Sequence, residues 1–293
     1  HNLLKYTKTE LIKHPMTILS NQRPQSLKTS SSFLKVAMFP LLASLSACSG
    51  FDAAVLNPGN WFDDEEVNPP KELVRIEQEV QLNRQWSVSV GNGQGRNYTE
   101  ITPALDAGMI YAASQNGNVA AVNAETGDIR WRTDLEIAIT GGVGAGDGLV
   151  MIGTEDAEVV ALDQVTGEIL WRQPVSSEVL SAPQTDGEVV VAQTVDGKLL
   201  GLNAEDGAQR WIYETSLPAL TLRGTSIPVI TSTGSVVAGF SNGTLISVSS
   251  DTGVWQWEER VAVPEGQYDI DRVIDVDGDL LLDGTRIFAS SYQ

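Results

Sequence analysis

The most regular feature of the chain is a recurrence of short apolar runs cut by polar turns. Runs at 109–113, 149–153, 189–193 and 236–240 are each followed by a tight turn and a second run. The second runs are Val119-Ala120-Ala121-Val122, Val159-Val160-Ala161-Leu162, Leu199-Leu200-Gly201-Leu202 and Leu245-Ile246-Ser247-Val248. The tight turns carry Asn116-Gly117, Asp196-Gly197 and Asn242-Gly243, with Asp156-Ala157 in the second copy. Asn-Gly and Asp-Gly between β-rich runs predict hairpins, because a type I′ turn needs positive φ. Each second run then leads into another Gly-containing turn with a Trp just beyond it: Gly127 and Trp131, Gly167 and Trp171, Gly207 and Trp211, Gly253 and Trp257. Pro103, Pro183 and Pro228 open three of the copies. Each copy therefore predicts four short antiparallel strands.

Antiparallel hairpins repeating every forty residues or so predict an all-β fold, a β-propeller of four-stranded blades occupying residues 83–293. A blade cannot bury both of its faces alone, so neighbours stack around an axis. Trp131, Trp171, Trp211 and Trp257 are expected to plug the gaps between blades, each ring burying on the order of 200 Å². The sharper alternative, an aromatic cage for sugar or methyl-lysine, needs rings gathered at one site rather than one per repeat. Residues 283–293 match the second strand of a fifth copy and stop where earlier copies turn. Proteins normally avoid the exposed sheet edge this implies. The expectation is a propeller incomplete at the C-terminus, a piece of a longer product.

The N-terminal region follows another grammar. Lys28 and Lys35 flank the start of an apolar stretch at 33–43, and Leu45-Ser46-Ala47-Cys48 follows. Basic residues, a short apolar run and small residues before a cleavage point make a secretory signal, too short to span a bilayer permanently. The small residues end at the single Cys, which resembles a bacterial lipobox. That resemblance implies cleavage before Cys48 and fatty acylation of its thiol and new amino group. An ordinary signal peptide with an incidental Cys is the alternative. Ser49, where an Asp would favour inner-membrane retention, implies the periplasmic face of the outer membrane. Residues 1–47 are then a signal peptide with an upstream extension. Residues 48–82, with Asn57-Pro58-Gly59-Asn60 and Asp63-Asp64-Glu65-Glu66, read as a lipidated tether.

Processing at Cys48 narrows the chemistry. His1 and His14 both precede it, so the processed chain has no His and no free thiol. A Ser-His-Asp triad, a Cys-His pair and a His-containing zinc site then lack their residues. A net charge of −19 argues against nucleic acid as a partner, because phosphate binding needs a basic face. No catalytic residue, metal site or cofactor is predicted. Asp275-Val276-Asp277-Gly278-Asp279 has calcium-like Asp spacing, but Gly278 and Arg286 stand out of register with an EF-hand loop. Gly91-Asn92-Gly93-Gln94-Gly95 and 141–146 lack the Gly-Lys-Ser/Thr of a phosphate loop. Trp61 has no assignable role, and Trp86 is expected to sit on a strand completing a blade.

The recurring Ala-x-Asn/Asp-x-x-Thr-Gly-x-x-x-Trp pattern resembles the docking motif of quinoprotein-type propellers. Pyrroloquinoline-quinone dehydrogenases and non-enzymatic lipoproteins both carry it, and the lipobox favours the second. Residues 217–224 (LPALTLRG) and 268–277 (YDIDRVIDVD) resemble matching loops of the outer-membrane assembly factor BamB family. That resemblance implies an eight-bladed lipoprotein propeller that scaffolds outer-membrane barrel assembly by binding periplasmic domains of the central subunit, BamA. It possesses no catalysis of its own and meets unfolded outer-membrane proteins, if at all, as a binder. It also carries partner contact onto Leu220, Leu222 and Arg223 of the first loop and Asp275 and Asp277 of the second. Apolar anchors and Arg are preferred at interfaces, and the carboxylates are expected to orient the Arg or accept partner hydrogen bonds. An inner strand and a solvated turn are the alternative for these residues.

Overall fold

A computed structural model describes residues 83–95 and 99–292. The signal region, Cys48 and the tether lie outside the described residues.

Three central strands of each repeat pair through the predicted hairpins, and a short strand begins directly after each opening Pro. The first sheet is β1 (Ala104–Asp106), β2 (Met109–Ala113), β3 (Asn118–Asn123) and β4 (Ile129–Asp134). The second is β5 (Ile139–Gly146), β6 (Leu149–Thr154), β7 (Glu158–Asp163) and β8 (Ile169–Pro174). The third is β9 (Gln184–Thr185), β10 (Val189–Thr194), β11 (Lys198–Asn203) and β12 (Gln209–Glu214). The fourth is β13 (Val229–Ile230), β14 (Ser235–Gly239), β15 (Thr244–Ser249) and β16 (Trp255–Arg260). A pair, β17 (Leu281–Asp283) and β18 (Arg286–Phe288), follows. Strands in every sheet are ordered as in the sequence and are antiparallel, and the fold is a β-propeller. The Pro residues precede β1, β9 and β13, where a missing N–H costs the ladder nothing.

The second and third strands of each sheet are apolar at consecutive positions rather than at alternate ones. The cause is burial on both faces. Val150, Ile152, Val160 and Leu162 pack toward the first sheet, with Val119 and Trp131. Leu149, Met151, Val159 and Ala161 of the same strands pack toward the third sheet, with Trp171, Leu200 and Leu202. Period-2 geometry thus splits one strand between two blade interfaces. The fourth strands β4, β8 and β12 are exposed except at the buried Trp and a half-buried position two residues on.

Each Trp sits beside a bulge: Ala121 pairs with Trp131 but Val122 with Ile129, and the same offset recurs at Trp171, Trp211 and Trp257. Trp131, Trp171 and Trp211 are buried, and their ring N–H groups donate to the carbonyls of Gln164, Ala204 and Ser250 in the following sheet. Under each ring lies the turn Gly of that next blade. A Cβ built at Gly207, where φ is +74°, would stand 2.6 Å from Trp171 Cε3. Trp86 belongs to this series: its ring N–H donates to Ala124 O at 3.1 Å, and Gly127 lies beneath it. Trp257 holds the same register position and is 38% exposed; of the sheet that follows it, the described residues include only the β17–β18 pair.

Candidate docking surface

Two long connections stand out from the short turns elsewhere: residues 215–228 between β12 and β13, and 261–280 between β16 and β17. The second contains a 3-10 turn at Asp269–Arg272. Its start is closed locally, with the Tyr268 N–H donating to Asp271 Oδ2 and the Asp271 N–H to Tyr268 O. Past the turn, Val273, Ile274, Asp275 and Val276 are buried. Ile274 rests on Gly243, and Val276 backs onto Gly239 while its N–H donates to Phe240 O. The loop is thereby fixed to the inner part of the fourth blade.

Asp275 joins the two connections. Its Oδ1 accepts the Leu222 N–H at 3.0 Å, and its own carbonyl accepts the Tyr292 N–H. The carboxyl is completely buried, and Oδ2 has no hydrogen-bond partner within bonding geometry. Burial raises its pKa above the ordinary 3.8, and the neighbouring Asp277 charge adds to this; the Ser241 hydroxyl and the Leu222 amide oppose it. Next along, Asp277 packs against Gly224, where a Cβ would fall 3.0 Å from Asp277 Oδ2.

The five residues singled out from the sequence are therefore brought together, but in different roles. Leu220 and Arg223 are exposed, Leu222 and Asp277 half-buried, and Asp275 is inside. A fully buried carboxylate cannot touch a partner, so Asp275 positions the first loop rather than contacting from it. Arg223 Nη2 pairs at 2.6 Å with Glu178 Oε1, a residue of the 175–183 connection that the sequence analysis does not single out. Nothing in the spacing of Glu178 marks it, since it lies 45 residues from its partner. Leu220 lines a recess of about 400 Å³ on one side of the first loop. Arg223, Gly224 and Asp277 line another of about 590 Å³ with Glu100 and Leu180.

The family described as outer membrane protein assembly factor BamB matches residues 72–141 and 115–293. The chain belongs to the BamB family. An outer membrane protein assembly factor BamB of Pseudomonas aeruginosa is 55% identical over 225 residues, covering 77% of this chain and 59% of that protein. The chain thus spans about three-fifths of the length of this relative. Among solved structures, BamB from Moraxella catarrhalis superposes with a TM-score of 0.62 at 31% identity, covering 65% of this chain and 58% of that one. A quinohemoprotein alcohol dehydrogenase from Comamonas testosteroni superposes with a TM-score of 0.51 at 16% identity, over 67% of this chain and 39% of that one. The dehydrogenase shares the fold alone, whereas the sequence identity follows the assembly factors.

Proposed function

We propose that this propeller is a non-catalytic scaffold of outer-membrane protein assembly, anchored through Cys48 at the periplasmic face. In this reading the paired loops dock a periplasmic domain of a BamA-like barrel subunit and so aid insertion of outer-membrane proteins. The observation that carries it is the bond from the Leu222 N–H to the buried Asp275 Oδ1. It holds the first loop so that Leu220 and Arg223 stand exposed, Arg223 lining the same recess as Asp277. Family membership supports the same reading, because the relatives are named for outer-membrane protein assembly.

Arg is enriched among the interface residues whose truncation costs at least about 2 kcal/mol, or roughly thirtyfold in affinity. Arg223→Glu reverses that charge and sets a second carboxylate against Glu178. Retrieval of membrane complexes on tagged wild type and on Arg223→Glu tests the proposal. Wild type should retrieve the barrel subunit and the variant little of it. Wild type that retrieves none contradicts the docking role.

A further inference from the structure

Beside Leu220 lies a recess of about 400 Å³ between the two loops, walled by Leu217, Leu220 and Ile274 and also lined by Arg260, Arg272 and Asp269. Arg260 ends β16 and Arg272 ends the 3-10 turn, so the two guanidinium groups reach the recess from both ends of the stretch that leads into the second loop. Among the described residues neither makes an ion pair, although four other cationic side chains do: Arg172, Lys198, Arg210 and Arg223. That is unusual company for a chain with twice as many acidic as basic residues, 38 against 19. One carboxylate, Asp269, shares the recess but pairs with neither guanidinium, so the pair carries an excess of positive charge.

Resting on the docking role proposed above, we infer that this recess is a subsite for an acidic segment of the docked subunit. A partner Asp or Glu side chain lies between Arg260 and Arg272, and a flanking apolar side chain fills the space against Leu217, Leu220 and Ile274. Three features select that occupant. Two Arg forks match carboxylate geometry, and Arg is less strongly hydrated than Lys. The apolar residues beside the pair would cover it once a partner side chain packs on them, which raises the value of charge complementarity. The chain carries a net charge of −19, so an acidic partner segment is favoured where basic side chains gather, as they do here. Asp269 on the same wall sets a limit of one carboxylate, since a second would meet it.

The test is titration of the purified chain with the soluble periplasmic region of the BamA subunit from the same organism, at several salt concentrations. Arg260→Gln and Arg272→Gln are each expected to weaken binding about tenfold and the double variant more, with a shallower salt dependence. Arg272→Lys, which keeps the charge, should stay closer to wild type than Arg272→Gln does. Both side chains are exposed, so wild-type melting curves are expected for all of these variants. Wild type that binds, with the double variant within about twofold of it and equally salt-sensitive, overturns the subsite and leaves the docking role standing. Wild type that fails to bind at all overturns both.

Discussion

Replacing Gly207 by Ala probes the contact on which blade stacking depends. Gly207 has φ +74°, a conformation that costs an L-residue about 1–2 kcal/mol. Its new methyl would also lie 2.6 Å from Cε3 of Trp171, a ring held by its N–H to Ala204 O at 2.9 Å. Moving that buried indole aside adds about 1–3 kcal/mol of overpacking. Gly148 is the matched control. Its φ is +84°, yet a Cβ there would meet nothing within 4 Å. Urea denaturation followed by tryptophan fluorescence and far-UV circular dichroism should show losses of about 2–5 kcal/mol for Gly207→Ala and about 1–2 for Gly148→Ala. In a Trp171→Ala background, the Gly207→Ala loss should shrink to that of the control, since the obstructing ring is gone. Equal losses at the two glycines, or a Gly207 loss indifferent to Trp171, would refute the docking role of the turn.

Three further outcomes follow from the same geometry. Trp171→Ala, at a ring 7% exposed, should cost about 3–5 kcal/mol in the same melts, and a loss under about 1 would contradict its docking role. Ala157 holds φ 59° where the other copies use Gly, so Ala157→Gly should stabilise by up to about 1 kcal/mol, and a loss contradicts the strain. Burial raises the Asp275 pKa, so the folded state binds that proton more tightly than the unfolded chain does. Its contribution to stability is full below the ordinary carboxylate value and is lost as pH rises through the raised one. Asp275→Asn keeps an acceptor for the Leu222 amide without titrating. Wild-type stability relative to this variant should therefore fall as pH rises above the ordinary carboxylate value of 3.8, and a flat difference contradicts it.

The repeat was legible because every blade solves the same local problem with the same residues. Asn116-Gly117 and its counterparts mark hairpins, and the Gly four residues before each Trp marks a turn that must pass beneath a ring. Trp86 was expected on a strand, yet none is formed there, and its docking role was missed because no Thr-Gly turn precedes it; the signal was its spacing to Gly127, close to that of Trp211 from Gly253. Burial of each ring is decided by the next blade rather than by its own, as the bonds from Trp131 and Trp211 to Gln164 and Ser250 show. The site was legible only through the likeness of its two loops to a known family. Residue types alone do not reveal that Asp275 turns inward onto the Leu222 amide, or that the carboxylate on Arg223 comes from Glu178, one blade earlier. Both are long-range contacts, and neither leaves a periodic trace.

The central claim is that the joined loops, and not the blade edges, meet the barrel-assembly subunit. Site-specific photocrosslinking in intact cells tests it most directly, with the photoreactive residue placed either at Leu220 in the first loop or at Leu170 on the outer strand β8. Both side chains are exposed, 41% and 50%. A crosslink to the BamA-like subunit from position 220 and none from 170 is the predicted result; crosslinks from 170 alone, or equally from both, would contradict it.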